Sequence, residues 1–320
     1  MNRPIALLLA ALALAVPLSL LAGRVWIDPF DPQTRNATVI LLQLRLPRAV
    51  LALVVGAGLG SAGAAMQGYL RNPLADPGLF GIAPGAALGA VLSFWTGYAA
   101  SIYLLPVFAL AGAAGAMALL ALIAGRDASV ALFTLAGLMI ANLAGALMSL
   151  AISLSPTPFA MSEIVTWLMG AVADRSWREV AIAAPLTLLG IALLAATRRS
   201  LDALTLGEAA ARSLGMEPAR LRALLIAGIG LTVGASVAVA GIIGFVGLIV
   251  PHLMRPLTDQ RPSSLILPSA LAGALLLLIA DVLCRVLPLA GGELRLGIAL
   301  SLIGAPFFLH LLLKMRRGLV

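Results

Sequence analysis

Asp281 and Arg285 are the ionisable residues set most plainly where ions are expensive. They stand four positions apart at the end of an apolar run, "LPSALAGALLLLIADVLCR", Leu267 to Arg285. That spacing puts both on one helical face, and a charge taken out of water needs a partner. Two readings stand at this level: a satisfied structural pair near a membrane edge, or part of a path or docking surface. Little else looks like a reaction centre. His252 and His310 are the only histidines, far apart and without acidic residues at ligand spacing. Cys284 is the only cysteine, which excludes an intrachain disulfide and a thiolate metal cluster. No GxxxxGK[ST] stretch exists to cradle nucleotide phosphates. Gly58 and Gly60 imitate part of a GxGxxG pattern, but they lie inside an apolar span rather than between strand and helix. An intramembrane transferase or protease would need clustered nucleophiles and bases, and the chain shows none. An ion-coupled carrier would more often show an unpaired acid, and Asp281 has Arg285 beside it.

The elements that would position these residues are membrane spans. Of 320 residues 62% are hydrophobic and only 11% charged, against about 25% charged in a soluble domain. Mean hydropathy is +1.08. Apolar runs near 20 residues recur, the length that crosses a bilayer core as helix, and no strand-like alternation competes with them. The expected fold is an all-α polytopic membrane protein with about ten transmembrane helices. They fall roughly at 4–23, 47–69, 81–97, 102–124, 130–153, 180–197, 221–241, 244–257, 265–287 and 296–314. The eighth is short for a straight span and calls for help from neighbouring turns or for a broken geometry inside protein. The first reads as an uncleaved span, too long for a signal-peptide core and followed by further spans. The formal charge of +8 belongs to short gaps between spans. It therefore reports topology and a lipid bilayer as partner, not nucleic acid. The basic bias puts both termini on the cytoplasmic side.

Two gaps stand out. "RNPLADPGLFG", Arg71 to Gly81, gathers prolines, glycines and polar residues between two apolar runs, as a tight turn requires. "LDALTLGEAAARSLGMEPARLR", Leu201 to Arg222, predicts a short helix from Thr205 or Leu206 to Leu214. Gly215 would end it and Pro218 would open the next helix. Leu206, Ala209, Ala210, Ser213 and Leu214 would share a weakly apolar side, with Glu208 and Arg212 as i,i+4 partners on another. A cytoplasmic object that a partner pushes and simple membrane-surface packing both fit that pattern. In "GAGLGSAGAAMQG", Gly56 to Gly68, small residues at close spacing let helices approach until backbones touch.

These stretches resemble one family. The sequence is similar to the membrane subunit of the ATP-binding-cassette importers for vitamin B12, iron-siderophores and haem. The resemblance lies in Arg45 to Ala86, in "LTLGEAAARSLGM", in "GIIGFVGLIVPHLMR", in Leu267 to Arg285 and in "GELRLGIALSLIGAPFFLHLLLK". It covers nearly the whole chain in family order. It implies a type II importer permease of the bacterial inner membrane, a single transmembrane domain over residues 1–320 with a cytoplasmic coupling segment at 201–220. It implies no cofactor in this chain. The partners implied are a second copy, a periplasmic binding protein and two cytoplasmic ATPase subunits that carry the ATP and Mg. By the same resemblance Leu204, Gly207, Glu208, Arg212 and Gly215 couple to the ATPase. Asn72, Leu74, Val130 and Ala131 flank the cytoplasmic gate. Arg45, Arg48 and Arg285 dock the binding protein. For Asn72 a turn-capping side chain is the competing reading. Family members often carry small hydroxyl residues where Val130 and Ala131 stand, so a dry gate is expected. "TDQRP", Thr258 to Pro262, and Arg295, where the family has proline, are further departures. Likeness within the family points to haem as cargo, with a siderophore and then cobalamin behind.

Overall fold

The computed structural model describes residues 3–23, 26–27, 37–98, 101, 103–125, 129–287 and 292–317, with the side chains of 79 and 315–317 excepted. Arg24, Arg35 and Arg126, three of the basic residues in the gaps between spans, lie outside the described residues. Eight helices are long and apolar enough to cross a membrane: α1 (Arg3–Leu21), α2 (Ala37–Leu70), α4 (Leu104–Ala124), α5 (Val130–Ser153), α7 (Trp177–Ala196), α10 (Pro218–Ala240), α12 (Pro262–Val286) and α13 (Leu296–Arg317). Two shorter apolar helices, α3 (Ile82–Trp95) and α11 (Val246–Leu257), complete the ten expected spans. Three short helices lie outside them: α6 (Pro158–Leu168), α8 (Arg198–Leu204) and α9 (Glu208–Ser213).

Which helices go inside follows from side-chain size. The most apolar windows of α2, α10 and α12 are 78%, 78% and 67% buried, whereas those of the other long spans are only 11–28% buried and leave most of their surface for lipid or partners. α2 is the axis, packed on α12, α7, α11 and α10. Its glycines allow this. A Cβ on Gly56 would overlap the Gly273 carbonyl oxygen, one on Gly60 that of Ser269, and one on Gly63 that of Gly247. The backbones of α2, α12 and α11 are thus in direct contact, which is how membrane helices gain packing where the hydrophobic effect gives none.

The structure departs from the sequence reading at three connections. The gap before the second span is helical from Ala37 on, and Ile40–Arg45 is wound as a π-helix. Pro47 supplies the reason. It has no N–H to give to the carbonyl of Gln43 or, in π register, of Leu42. The Trp177 indole instead donates to Leu42 O at 3.0 Å. The second departure is α6, inside what read as a partly apolar loop. Thr157 caps it by accepting from the Ala160 amide at 3.1 Å. The third is the coupling segment, which forms two helices rather than one. The chain leaves α8 at Thr205, whose hydroxyl bonds back to Asp202 O at 2.6 Å, and restarts at Glu208.

The eighth span is short, and a break in the backbone precedes it, one of the two geometries its length allows. α10 ends at Ala240, residues 241–244 are irregular, and α11 begins after Phe245 at φ +67°. A bulky residue at positive φ is strained. The Phe245 ring occupies the space that Gly304 of α13 leaves by having no side chain. The freed Ala240 carbonyl accepts from Ala171 N at 2.8 Å, so the irregular backbone is satisfied inside protein.

The glycine contacts make a direct prediction. Gly60→Ala should destabilise the purified protein by about 1–3 kcal/mol, as overpacking does. Gly145→Ala, on α5 with open space around it, should be neutral or slightly stabilising in the same unfolding titration. Equal effects would remove backbone contact as the organiser of α2.

Candidate functional site

The three arginines assigned to docking converge on one end of the bundle, where α2 begins and α12 ends. Arg48 is the hub. Its Nε lies 3.0 and 3.1 Å from the two carboxylate oxygens of Asp281, its Nη2 lies 2.9 Å from Oδ1, and the same Nη2 reaches Glu293 Oε2 at 2.8 Å. Arg285 Nε lies 3.2 Å from Asp281 Oδ2, the i,i+4 pair read from the sequence. Side-chain exposure is 13% for Arg48, 5% for Arg285 and 2% for Asp281, but 33% for Glu293. Two helices, α2 and α12, therefore share one buried carboxylate, and Arg48 ties Glu293 of the 292–295 connection to it. Such two-point Arg–carboxylate contacts are the strong, geometrically specific kind.

Arg45 faces the other way. Its Nη1 donates to Leu20 O and Leu21 O, both at 2.8 Å, and Arg285 Nη1 donates to Ala22 O at 3.5 Å. Leu20 O and Leu21 O are the last carbonyls of α1 and Ala22 O follows them; such carbonyls lack helical partners and carry the negative end of the helix dipole. The arginines thus anchor α1, the least buried long helix. Beside them opens a cavity of about 590 Å³, lined in part by Arg45, Arg48, Arg175, Arg285, Asp174 and Glu293. Burial pushes the Arg175 guanidinium below its ordinary value; Glu179 and Asp174 oppose the shift, and Arg295 adds repulsion.

The opposite end holds the remaining assigned residues. Arg71 closes α2 at φ +48°, and Asn72 Oδ1 accepts from Leu74 N at 2.9 Å, the turn-capping contact considered for it. Asp76 caps the following 3₁₀ turn, Pro77–Phe80, by accepting from Gly78 N at 2.8 Å. That turn docks on α5 through Phe80 and Phe133, ring centroids 4.6 Å apart. Val130 and Ala131 are in the first turn of α5; Val130 and Leu74 are half-buried, Asn72 and Ala131 exposed. Gly207 and Gly215 bracket α9 at φ +98° and +85°. Leu204 is buried at the end of α8, and Ala211 anchors α9. Leu206 and Leu214 are 67% and 66% exposed, and Ala209, Ala210 and Ser213 are exposed beside them. No ion pair within 4.0 Å joins Glu208 to Arg212. Because α1 ends and α13 begins at the Arg48 end, both chain termini lead to this opposite end.

Several members escaped the sequence reading. Arg48 reaches Asp281 across 233 residues and Glu293 across 245, links that no local spacing displays. Gln67 joins Arg255 Nη2 at 2.9 Å to the carbonyls of Gly247 and Leu248, both at 3.3 Å. Its signal was available, since a polar side chain inside a span needs partners. Among the described residues no three His, Cys, Asp or Glu side chains group as a metal site.

Ten spans around a broken central helix, short helices at one end and an ion network at the other define a class: the permease subunit of a type II ATP-binding-cassette importer. The chain belongs to the FecCD transport family, whose model matches residues 5–314. It is 40% identical over 309 residues to the "Vitamin B12 import system permease protein BtuC" of Escherichia coli O9:H4 (strain HS), covering 95% of this chain and 93% of that one. The Shigella flexneri protein of the same name matches to the same extent. A solved structure, provisionally described as a metal-chelate type ABC transporter in an inward-facing conformation, superposes with a TM-score of 0.89 at 35% identity. The match covers 97% of this chain and 98% of that one.

The network predicts an asymmetry. Asp281→Ala leaves Arg48 and Arg285 charged in a dry site and should cost about 3–5 kcal/mol. Glu293→Gln, partly open to water, should cost at most about 1 kcal/mol. Unfolding of both variants in one detergent checks the order; a reversed order would mean that Asp281 is not the shared counter-ion.

Proposed function

We propose that two copies of this chain form the membrane path of an importer that carries a metal chelate of the cobalamin or ferric-siderophore kind into the cytoplasm. The carrying observation is the near full-length similarity to permeases named for vitamin B12 import. The neighbouring metal-chelate transporter supports the same cargo class. These relatives put cobalamin ahead of the haem expected from likeness alone, and haem becomes the third candidate. The membrane is the bacterial inner membrane. Both termini, α8 and α9 face the cytoplasm, in keeping with the basic residues gathered there.

Each assigned residue has a physical role in this reading. α9 is a short helix bracketed by glycines whose apolar side, Leu206 to Leu214, has no cover among the described residues, as expected of a surface that a partner fills. Two ATPase subunits, holding ATP and Mg, push on it. Leu204 and Ala211 transmit the push to α8 and the core, Gly207 and Gly215 set its angle, and Glu208 and Arg212 give it charged contacts. Leu74, Val130 and Ala131 close a dry constriction, while Asn72 holds the turn that carries Leu74. At the periplasmic end Arg45, Arg48 and Arg285 form the base of the docking surface for a binding protein. Arg48 already holds Glu293, so an incoming carboxylate would replace a partly exposed intrachain partner rather than meet a bare charge. Alternating access needs contacts that differ between states, and α9 is where ATP supplies the difference.

ATP-driven uptake in proteoliposomes holding permease, ATPase and binding protein tests both cargo and coupling. Cobalamin, a ferric siderophore and haem are offered separately, and cobalamin uptake requiring both partners is expected. Glu208→Lys should lower uptake about tenfold or more, because one like-charge contact of ~1.4 kcal/mol is a factor of ten, with membrane insertion unchanged. Normal uptake and normal stimulated ATP hydrolysis in that variant would sink the coupling role. Uptake of haem alone would sink the cargo choice.

A further inference from the structure

A second cavity, of about 280 Å³, lies between the end of α3, α6, the 169–176 segment and the start of α13. Phe94 and Trp167 make one wall, ring centroids 6.1 Å apart and tilted by 59°. Arg175 and Arg295 also line it. Two of its buried donors lack acceptors. The indole Nε1 of Trp167 and Nε of Arg175 are buried without a hydrogen-bond partner among the described residues. No ion pair within 4.0 Å reaches Arg175 or Arg295 there either. Glu163 and Asp174 complete the rim, but both are exposed, where water screens them, whereas the arginines are half-buried. Like charges are held together because the frame is rigid. Gly170 N bonds to Trp167 O, Ala171 N to Ala240 O and Gly297 N to Gly170 O, and Asp174 sits at φ +57°. Orphaned buried donors cost free energy unless a ligand satisfies them.

We propose that this cavity is a subsite for an oxyanion group of the transported chelate, a carboxylate or phosphate carried next to a planar ring or apolar edge. Arg175 and Arg295 hold the oxygens, Trp167 Nε1 donates to one of them, and the aromatic wall covers the apolar neighbour. The space is smaller than the roughly 300–1,000 Å³ of pockets that enclose whole ligands, so it takes one group of the cargo and orients the remainder. Arg295 is a specificity-determining residue in this arrangement. The assignment of the ligand to cargo rests on the import reading above; the oxyanion chemistry of the site does not.

Trp167 reports its own occupancy. The full chain in nanodiscs is titrated with 4-nitrobenzoate, a quenching aromatic carboxylate, and with neutral 4-nitrobenzyl alcohol. The carboxylate should give a saturable quenching component that is absent in Trp167→Phe. That component should weaken about tenfold in Arg295→Gln and in Arg175→Gln, the loss of one charge-assisted hydrogen bond. Arg178→Gln, exposed and outside the cavity, should leave it unchanged. Equal quenching by the alcohol, or an unchanged midpoint in both cavity variants, overturns the site. In the uptake assay Arg295→Gln should raise KM for the transported chelate about tenfold with little change in maximal rate. An unaltered KM there, with the quenching site intact, overturns the cargo assignment. Wild-type complex that moves no chelate refutes the import reading itself, and the quenching arm still decides the site.

Discussion

Backbone contact between α2 and α12 is the constraint from which the remaining architecture follows. Gly56 and Gly60 on one helix meet Gly273 and Ser269 on the other with no side chain between them. Helices that close cannot diverge much over the next few turns, so the residues beyond the contact are forced together. In one direction that brings Arg48 onto Asp281. In the other, Gly63 meets Gly247 in the same way, and Gln67 lies beneath the α11 carbonyls within reach of Arg255. Neither polar cluster would close if the helix axes stood a normal side-chain distance apart. The glycines therefore act at long range: they set the spacing, and the polar groups at both ends use it.

The second recurrent device is the open carbonyl. A chain in lipid has no water to satisfy backbone groups, yet this one interrupts its helices repeatedly. Pro47 leaves Leu42 O without a helical donor, and Trp177 supplies one. The break after Ala240 is answered by Ala171, and the end of α1 by Arg45 and Arg285. Each interruption is joined to an element distant in sequence. Breaks that would weaken a lone helix become fixed points between neighbours.

Much of this was open to sequence reading, and the divide is physical. Periodicity and length identify spans because a bilayer has one thickness, so all ten appear. Gly215 and Pro218 act through their own backbone geometry, and Asn72 through a side-chain bond two residues on, the competing reading for it; all three effects are local. The i,i+4 pair of Asp281 and Arg285 is local too. The misses are of another kind. Leu20 O and Leu21 O accept from Arg45, but a backbone carbonyl has no residue-type signature. Glu293 joins Arg48 across 245 residues. The helix from Ala37 was hidden because Thr38, Gln43 and Arg45 interrupt the apolar pattern. Trp167 and Arg175 carry their interest in what they fail to touch, which only coordinates display.

The order of the Arg48 network along the chain has a consequence for biogenesis. Arg48 enters the membrane with the second span, whereas Asp281 follows 233 residues later. At typical synthesis rates of about 5–20 residues per second, roughly ten to fifty seconds separate them. Throughout that interval the nascent second helix carries an arginine whose counter-ion has not been made. It can lodge near the lipid headgroups or at the edge of the insertion channel, but it cannot take its final depth. The late arrival of the ninth span thus limits assembly: the Arg48–Asp281 contact between α2 and α12 can close only after residue 281 has been made.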